Sequence, residues 1–172
     1  MANQRGYPHP VFGKVKLGNL GFAVAFWPLL GWTKTVSSQE GTLAGLAGKF
    51  GLGEGLVVQE LGFDIDSDEM VSNAIASVAE LVDETYDDVV DAVLLWWRED
   101  DGDLVDALVD ALGPLTDNGV IWLMTPKPGR DGHVEPEDIA DASPTAGLQA
   151  TSNINAAPDW QGTRLVAPKS RR

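Results

Sequence analysis

Between Asp91 and Pro126 the apolar and polar positions predict a strand, a helix and a second strand in close succession. Ala92–Trp97 (Ala-Val-Leu-Leu-Trp-Trp) is a short branched and aromatic run with no alternation. Leu104, Val105, Leu108, Val109, Leu112 and Leu115 then recur at helical spacing, and Asp103, Asp106 and Asp110 fall on the opposite, wet side. Asn118-Gly119 is a turn pair leading into Val120–Thr125 (Val-Ile-Trp-Leu-Met-Thr). A strand without alternation is one buried on both faces, and strand, helix, strand with short joints is the repeating unit of a parallel sheet. The order gives a fold class but no reaction.

The flanking pattern agrees with that class. Thr42–Phe50 places Leu43, Leu46, Ala47 and Phe50 on one helical face before Gly51, Gly53 and Gly55 break it. Leu56–Leu61 reads as a first strand. The acids of Asp64–Glu69 supply caps and N-terminal charge for a helix over Glu69–Val82, with Val71, Ile75, Val78, Ala79 and Val82 as its buried stripe. Asp83–Asp91 has two readings, because Tyr86, Val89, Val90 and Val93 also fit helical spacing; branched and aromatic content puts the strand at Ala92. Arg98–Gly102 is a turn, and Asp103 is placed to cap the next helix. Downstream, Pro126, Pro128, Gly129 and Gly132 mark a loop, and Glu135–Asp138 opens a helix that reaches about Ala142. Leu148–Ala156 and Thr163–Ala167 form a closing hairpin around Pro158–Gly162. The expectation is an α/β fold with a small, mostly parallel three-layer sheet and a C-terminal antiparallel hairpin.

Composition narrows the chemistry. The 172 residues include no Cys, so disulfides, thiolate metal sites and Cys nucleophiles are excluded together. A Cys-free chain fits a reducing compartment, and the expected location is cytoplasmic. His9 and His133 are the only imidazoles, too few for a multi-His metal site. Charge is divided unevenly. Residues 1–39 hold no Asp or Glu and carry Arg5, Lys14, Lys16 and Lys34; the rest hold all 26 acids against 8 bases, and the whole chain stands at −14. A domain this acidic repels phosphate backbones and anionic membranes, which argues against a nucleic-acid partner. The chain divides into a basic and apolar extension (1–39), an α/β domain (40–169) and a short basic tail (170–172).

The extension keeps three readings open. Leu17–Trp32 is uncharged and apolar after Lys14 and Lys16, but at 16 residues with Pro28 inside it is short for a membrane span. Val36-Ser37-Ser38 after it gives the outline of an export signal, although the apolar centre is long for one. The abrupt change of charge also fits disordered sequence, or a start placed upstream of the true one. A membrane partner enters only if this extension is real.

Two stretches, Asp91–Pro126 and Gly147–Val166 with its Asp159-Trp160-Gln161-Gly162-Thr163-Arg164-Leu165-Val166 ending, resemble the second half of class I methyltransferase-like Rossmann folds. In detail the chain resembles a bacterial family, domain of unknown function 3052, above all its actinobacterial branch. The Leu-Gly-rich Gly51–Gly62, the apolar strand of Val120–Lys127 running into Pro-Lys, and Trp160–Gly162 carry that likeness over about Glu40–Lys169. The resemblance implies a fold and brings no established activity.

Methyltransferase chemistry in such a scaffold needs a glycine-rich turn after the first strand and an acid at the end of the second. Glu60-Leu61-Gly62-Phe63-Asp64 offers one glycine, and no second strand with its acid is evident between Glu69 and Tyr86. A calcium loop starting at Asp64 would need Gly and Glu where Glu69 and Ile75 stand. No metal and no cofactor are expected. The remaining candidate is the Pro/Gly-rich loop after Val120–Thr125, where Lys127, Arg130, Asp131 and His133 gather bases and the one imidazole of the acidic body. An anionic small molecule or a carboxylate of a partner protein would dock there. Trp96 and Trp97 face opposite sides of a strand; the favoured reading is that a sandwiched sheet covers both as core, and a missing layer would instead expose one as an anchor for a partner or a homodimer edge. The expected function is a non-catalytic binding or regulatory module using this loop. The competing reading is a small-molecule S-adenosylmethionine-dependent transferase with an atypical cofactor loop.

Overall fold

The structure is a computed structural model that describes residues 41–169. Six strands, β1 (Val57–Leu61), β2 (Glu80–Val82), β3 (Val90–Trp96), β4 (Leu115–Pro126), β5 (Gln149–Asn155) and β6 (Trp160–Val166), form one sheet in the order β2-β1-β3-β4-β6-β5. β1 pairs in parallel with β2 and β3, and β3 with β4. β6 runs antiparallel to both β4 and β5, so it alone is reversed. The expected mostly parallel α/β sheet with a closing antiparallel pair is what the chain forms.

Helices cover both faces. A helix through residues 41–50 (α1) and α2 (Glu69–Ala76) lie on one side, and α3 (Leu104–Leu112) and α4 (Pro136–Thr145) on the other. The sheet therefore has two apolar cores. Val93, Leu95, Ile121 and Leu123 point toward Leu108 and Ile139, while Ala92, Leu94, Trp122 and Met124 point toward Phe50, Val71 and Ile75. Burial on both faces explains why β3 and the second half of β4 show no alternation. Trp96 and Trp97 divide between the two cores and both are buried, as the favoured reading has it, and neither is an exposed anchor.

Three local expectations are corrected. The helix from Glu69 ends at Ala76 rather than Val82, and Glu80–Val82 is a second strand after all. Val57–Gln59 offer an open parallel edge, and Glu80–Val82 pair with it; tertiary pairing overrides the helical spacing of Val78 and Val82. Asn118-Gly119 lies inside the strand rather than leading into it: β4 begins at Leu115, which pairs with Val90, and the register slips before Val120 pairs with Ala92. Finally, α4 continues through Pro144 to Thr145: the proline forgoes one helical hydrogen bond, and the turn is held around it by Ala146 N–H donating to the Ala142 carbonyl at 2.9 Å and Ser143 Oγ to the Ile139 carbonyl at 2.6 Å. The expectations placed on residues 1–39 and 170–172 lie outside the described residues. Among those described, no helix is long and apolar enough to cross a membrane.

Trp122 ties α1 to the sheet. Its indole Nε1 donates to the Phe50 carbonyl at 3.1 Å inside the core, and the two rings meet edge-on with centroids 5.1 Å apart. Trp122→Phe leaves that carbonyl without its donor in a dry environment. We expect a loss of about 1–3 kcal/mol in urea unfolding and faster hydrogen exchange across residues 41–50.

Candidate functional site

In an open α/β sheet the ligand crevice lies past the carboxyl ends of the strands, where chain connections leave in opposite directions. Here that point is between β1 and β3, since β2 lies on one side of the pair and β4 on the other. A single side chain fills it. Arg98, two residues beyond β3, donates through Nη1 to the Gly62 carbonyl at 3.0 Å and through Nη2 to Ser67 Oγ at 3.1 Å. Its Nε and Nη2 form a two-pronged pair with the Asp66 carboxylate, Nε at 2.9 Å. The guanidinium stands 5.0 Å from the centre of the Trp160 ring, whose Nε1 in turn donates to the Asp66 carbonyl at 3.0 Å. Asp101 accepts from the Arg98 backbone N–H at 2.8 Å. One guanidinium thus joins the turn after β1, the turn after β3 and the start of β6.

Gly62 has a related role. Its φ is +69°, and a Cβ there would collide with the Trp96 carbonyl oxygen. The glycine lets β1 and β3 close on each other rather than making room for a ligand. Glu60, at the end of β1, accepts from Trp96 Nε1 at 2.9 Å and from Ser72 Oγ at 2.6 Å. Among the described residues no buried side-chain nitrogen or oxygen lacks a partner.

The predicted loop borders this crevice, and its groups come together with internal partners. Arg130 pairs with Asp159 at 2.8 Å, both about half exposed. Lys127 Nζ donates to the Pro158 carbonyl at 3.0 Å, and Lys127 N–H to the Asp159 carbonyl at 2.9 Å. His133 is mostly covered; its Nδ1 lies 2.8 Å from the Pro126 carbonyl, and Nε2 approaches Glu135 at 3.8 Å. Asp131 is exposed. Gly132 (φ +74°) presses against Arg98, where an added Cβ would sit 2.9 Å from the Arg98 Cβ. Asp66, Arg130, Asp131, Asp159 and Trp160 line a shallow cavity of about 310 Å³ between the loop and the Arg98 cluster. An anion docking on Arg130 competes with Asp159 for its guanidinium.

Sequence reasoning missed Arg98 as the centre of the site and took Asp66 for a helix-start acid. The signal was present: Arg98 is the one base between Lys49 and Lys127, in a stretch crowded with carboxylates. The acid expected to be missing at the end of the second strand also exists. Asp83 follows β2, but its carboxylate caps the next turn, accepting from Thr85 N–H at 2.9 Å. No group of three or more His, Cys, Asp or Glu side chains among the described residues is arranged to hold a metal ion.

Hydrogen bonds from Arg98, and then its charge, hold the Asp66 carboxyl below its ordinary value of 3.8, against desolvation that raises it. A depressed folded value means the pair stabilises the fold fully above pH 3.8 and loses this as pH falls through the lower folded value. Asp66→Asn is therefore expected to unfold at lower urea than the parent at pH 7, with the gap closing below pH 3.8. Gly62→Ala, strained in φ and colliding with backbone, is expected to cost about 2 kcal/mol or more in the same assay.

Comparison with known proteins finds similar solved structures and a family. Solved structures similar to the chain include a ribosomal protein methylase from Lactobacillus delbrueckii subsp. bulgaricus (TM-score 0.47, 17% identity, 75% of this chain and 78% of that one). Another is a SAM dependent methyltransferase from Aquifex aeolicus (TM-score 0.47, 14% identity, 73% and 89%). Uncharacterised proteins of Mycobacterium tuberculosis (strain ATCC 25618 / H37Rv) and Mycobacterium bovis are 54% identical over 127 residues, covering 73% of this chain and 80% of each relative. The model of one family matches residues 47–169, which include every residue of the Arg98 cluster and the loop beside it. The chain belongs to that family, described as a protein of unknown function (DUF3052).

Proposed function

We propose that the chain is a non-catalytic binding module, with a braced surface at the carboxyl ends of its strands in place of a cofactor crevice. One observation carries this reading: the Arg98 guanidinium, held by Asp66, the Gly62 carbonyl and the Trp160 ring, occupies the switch point itself. A small-molecule cofactor entering there would have to displace a mostly covered guanidinium bonded to the half-exposed Asp66 carboxylate, the Gly62 carbonyl and Ser67 Oγ. A partner meets no such cost. The Arg130–Asp159 pair beside it is half exposed, and such a pair exchanges one carboxylate for another at little expense. The surface around Lys127, Arg130, Asp131 and His133 thus offers a partner's carboxylate, or a small anion, an exchange with Asp159.

A transferase reading has one observation in its favour. Asp83 directly follows β2, and its neighbour Glu84 lines a groove of about 530 Å³ together with Gln59, Leu61 and Tyr86. Calorimetric titration with S-adenosylmethionine separates the two readings. We expect no heat of binding and no thermal stabilisation for the parent chain. Stabilisation that disappears in Asp83→Ala would favour the transferase and remove the module. On the module reading Arg130→Ala changes folding stability by less than about 1 kcal/mol, as an exposed pair should. Cross-linked partners retained by both Arg130→Ala and His133→Ala would exclude the loop.

A further inference from the structure

The outer hairpin of the sheet is only partly covered by α4. Gln161 and Thr163 of β6 stand in register with Thr125 and Leu123 on the α4 face, and Asn155 and Asn153 of β5 pair with them in turn. Across an open groove of about 520 Å³ these four side chains meet Pro136, Ile139 and Ala140 of α4 and Pro128 of the loop. Ala140 on the helix and Ala150 on the strand, both in the lining, carry only methyl groups and leave the space between them unfilled.

The polar groups of the groove have bonding capacity left. Thr163 is 6% exposed, yet its hydroxyl bonds to no protein group among the described residues. Every fully buried side-chain nitrogen or oxygen there has a partner, so the small exposed part of Thr163 includes its hydroxyl, which opens into the groove. The carboxamides of Asn153 and Asn155 likewise bond to no described protein group. Lys127 Nζ donates to the Pro158 carbonyl at 3.0 Å and keeps further N–H donors. Lys127 is also the one charged side chain in the lining, so the groove is a carboxylate-free, locally positive place on a chain of net charge −14.

We propose that this groove is a small-molecule site for an apolar monocarboxylate that carries an amide, of the size of an N-acylated amino acid. One ammonium balances one negative charge, whereas a phosphate dianion would find no second base in the lining. The Thr163 hydroxyl and the carboxamides of Asn153 and Asn155 each donate and accept, as the N–H and C=O of an amide require. Ile139 and the two prolines cover the apolar body. A cavity of this size, mostly apolar with a few convergent polar groups, is the usual form of a small-ligand site. It is a different site from the Arg130–Asp159 surface and stands without that reading.

Two-dimensional NMR of the full chain, titrated with N-acetyl-leucine to about 20 mM, tests this. The parent is expected to half-saturate at about 1 mM, the order set by a ligand of about twelve heavy atoms, with shifts centred on the side-chain amides of Asn153, Asn155 and Gln161. Lys127→Met should weaken binding roughly tenfold and Thr163→Val roughly threefold. Ala140→Leu, which fills the groove, should abolish binding while the rest of the spectrum stays that of the parent. Uncharged N-acetyl-leucinamide should bind roughly tenfold more weakly than the acid. No shift at the highest concentration, equal binding of the two probes, or undiminished binding by Ala140→Leu overturns the proposal. So do shifts centred on Arg130 and Asp159, which would place the carboxylate at the loop instead, and a response confined to an extended peptide added along β5.

Discussion

The geometry of this molecule rests on a cation placed where three chain segments end. Arg98 leaves β3 at the switch point and finds the Gly62 carbonyl, the Asp66 carboxylate and the Trp160 ring within reach. An arginine is suited to this because its planar fork bonds a carboxylate with two nitrogens while its face stacks on an aromatic ring. Its side chain is largely covered, so the charge has to be matched, and Asp66 with Asp101 beyond it match it. The loop Pro126–His133 packs over the same side chain through Gly132, and Glu99 N–H donates to the Gly132 carbonyl at 3.0 Å. The loop proposed for partner binding is thus held in shape by a group that is itself mostly covered.

Much of the fold was legible because it follows from period and punctuation. The unalternating runs at Ala92–Trp97 and Val120–Thr125 favour doubly buried strands by their branched and aromatic content, and Asp103, the expected cap, accepts from Val105 and Asp106 N–H. What was not legible was pairing at a distance. β2 is three residues of mediocre strand propensity that exist because β1 offers an edge, and nothing local distinguishes Glu80–Val82 from the end of a helix. The slip in β4 was hidden in the same way: Asn118-Gly119 has turn chemistry, and only the pairing of Leu115 with Val90 shows that the chain is already in the sheet.

The site was half legible. Spacing brought Lys127, Arg130, Asp131 and His133 into view as a loop at the right end of the sheet, and they do lie together. Their bond partners, Pro158, Asp159 and Pro126, come from the β5–β6 turn and from the strand end, which one-dimensional pattern does not associate with them. The glycine count after β1 was read correctly, but its physical meaning differs. A lone Gly62 is what two strands need in order to close on each other, and its neighbourhood is backbone on one side and guanidinium on the other.

Gln59 is almost wholly buried, and its amide donates to the carbonyls of Asp83 at 3.2 Å and Tyr86 at 2.9 Å. No helix joins β2 to β3; a seven-residue connection, residues 83–89, crosses there under the restraint of this one side chain. Where a packed helix would spread its anchoring over many contacts, here it falls to this carboxamide, three register pairs with β1 and the partly buried Leu81, Val82 and Tyr86 that meet the two cores. Fewer anchors hold the flank of the sheet that carries β2 than hold β3 and β4 at its centre.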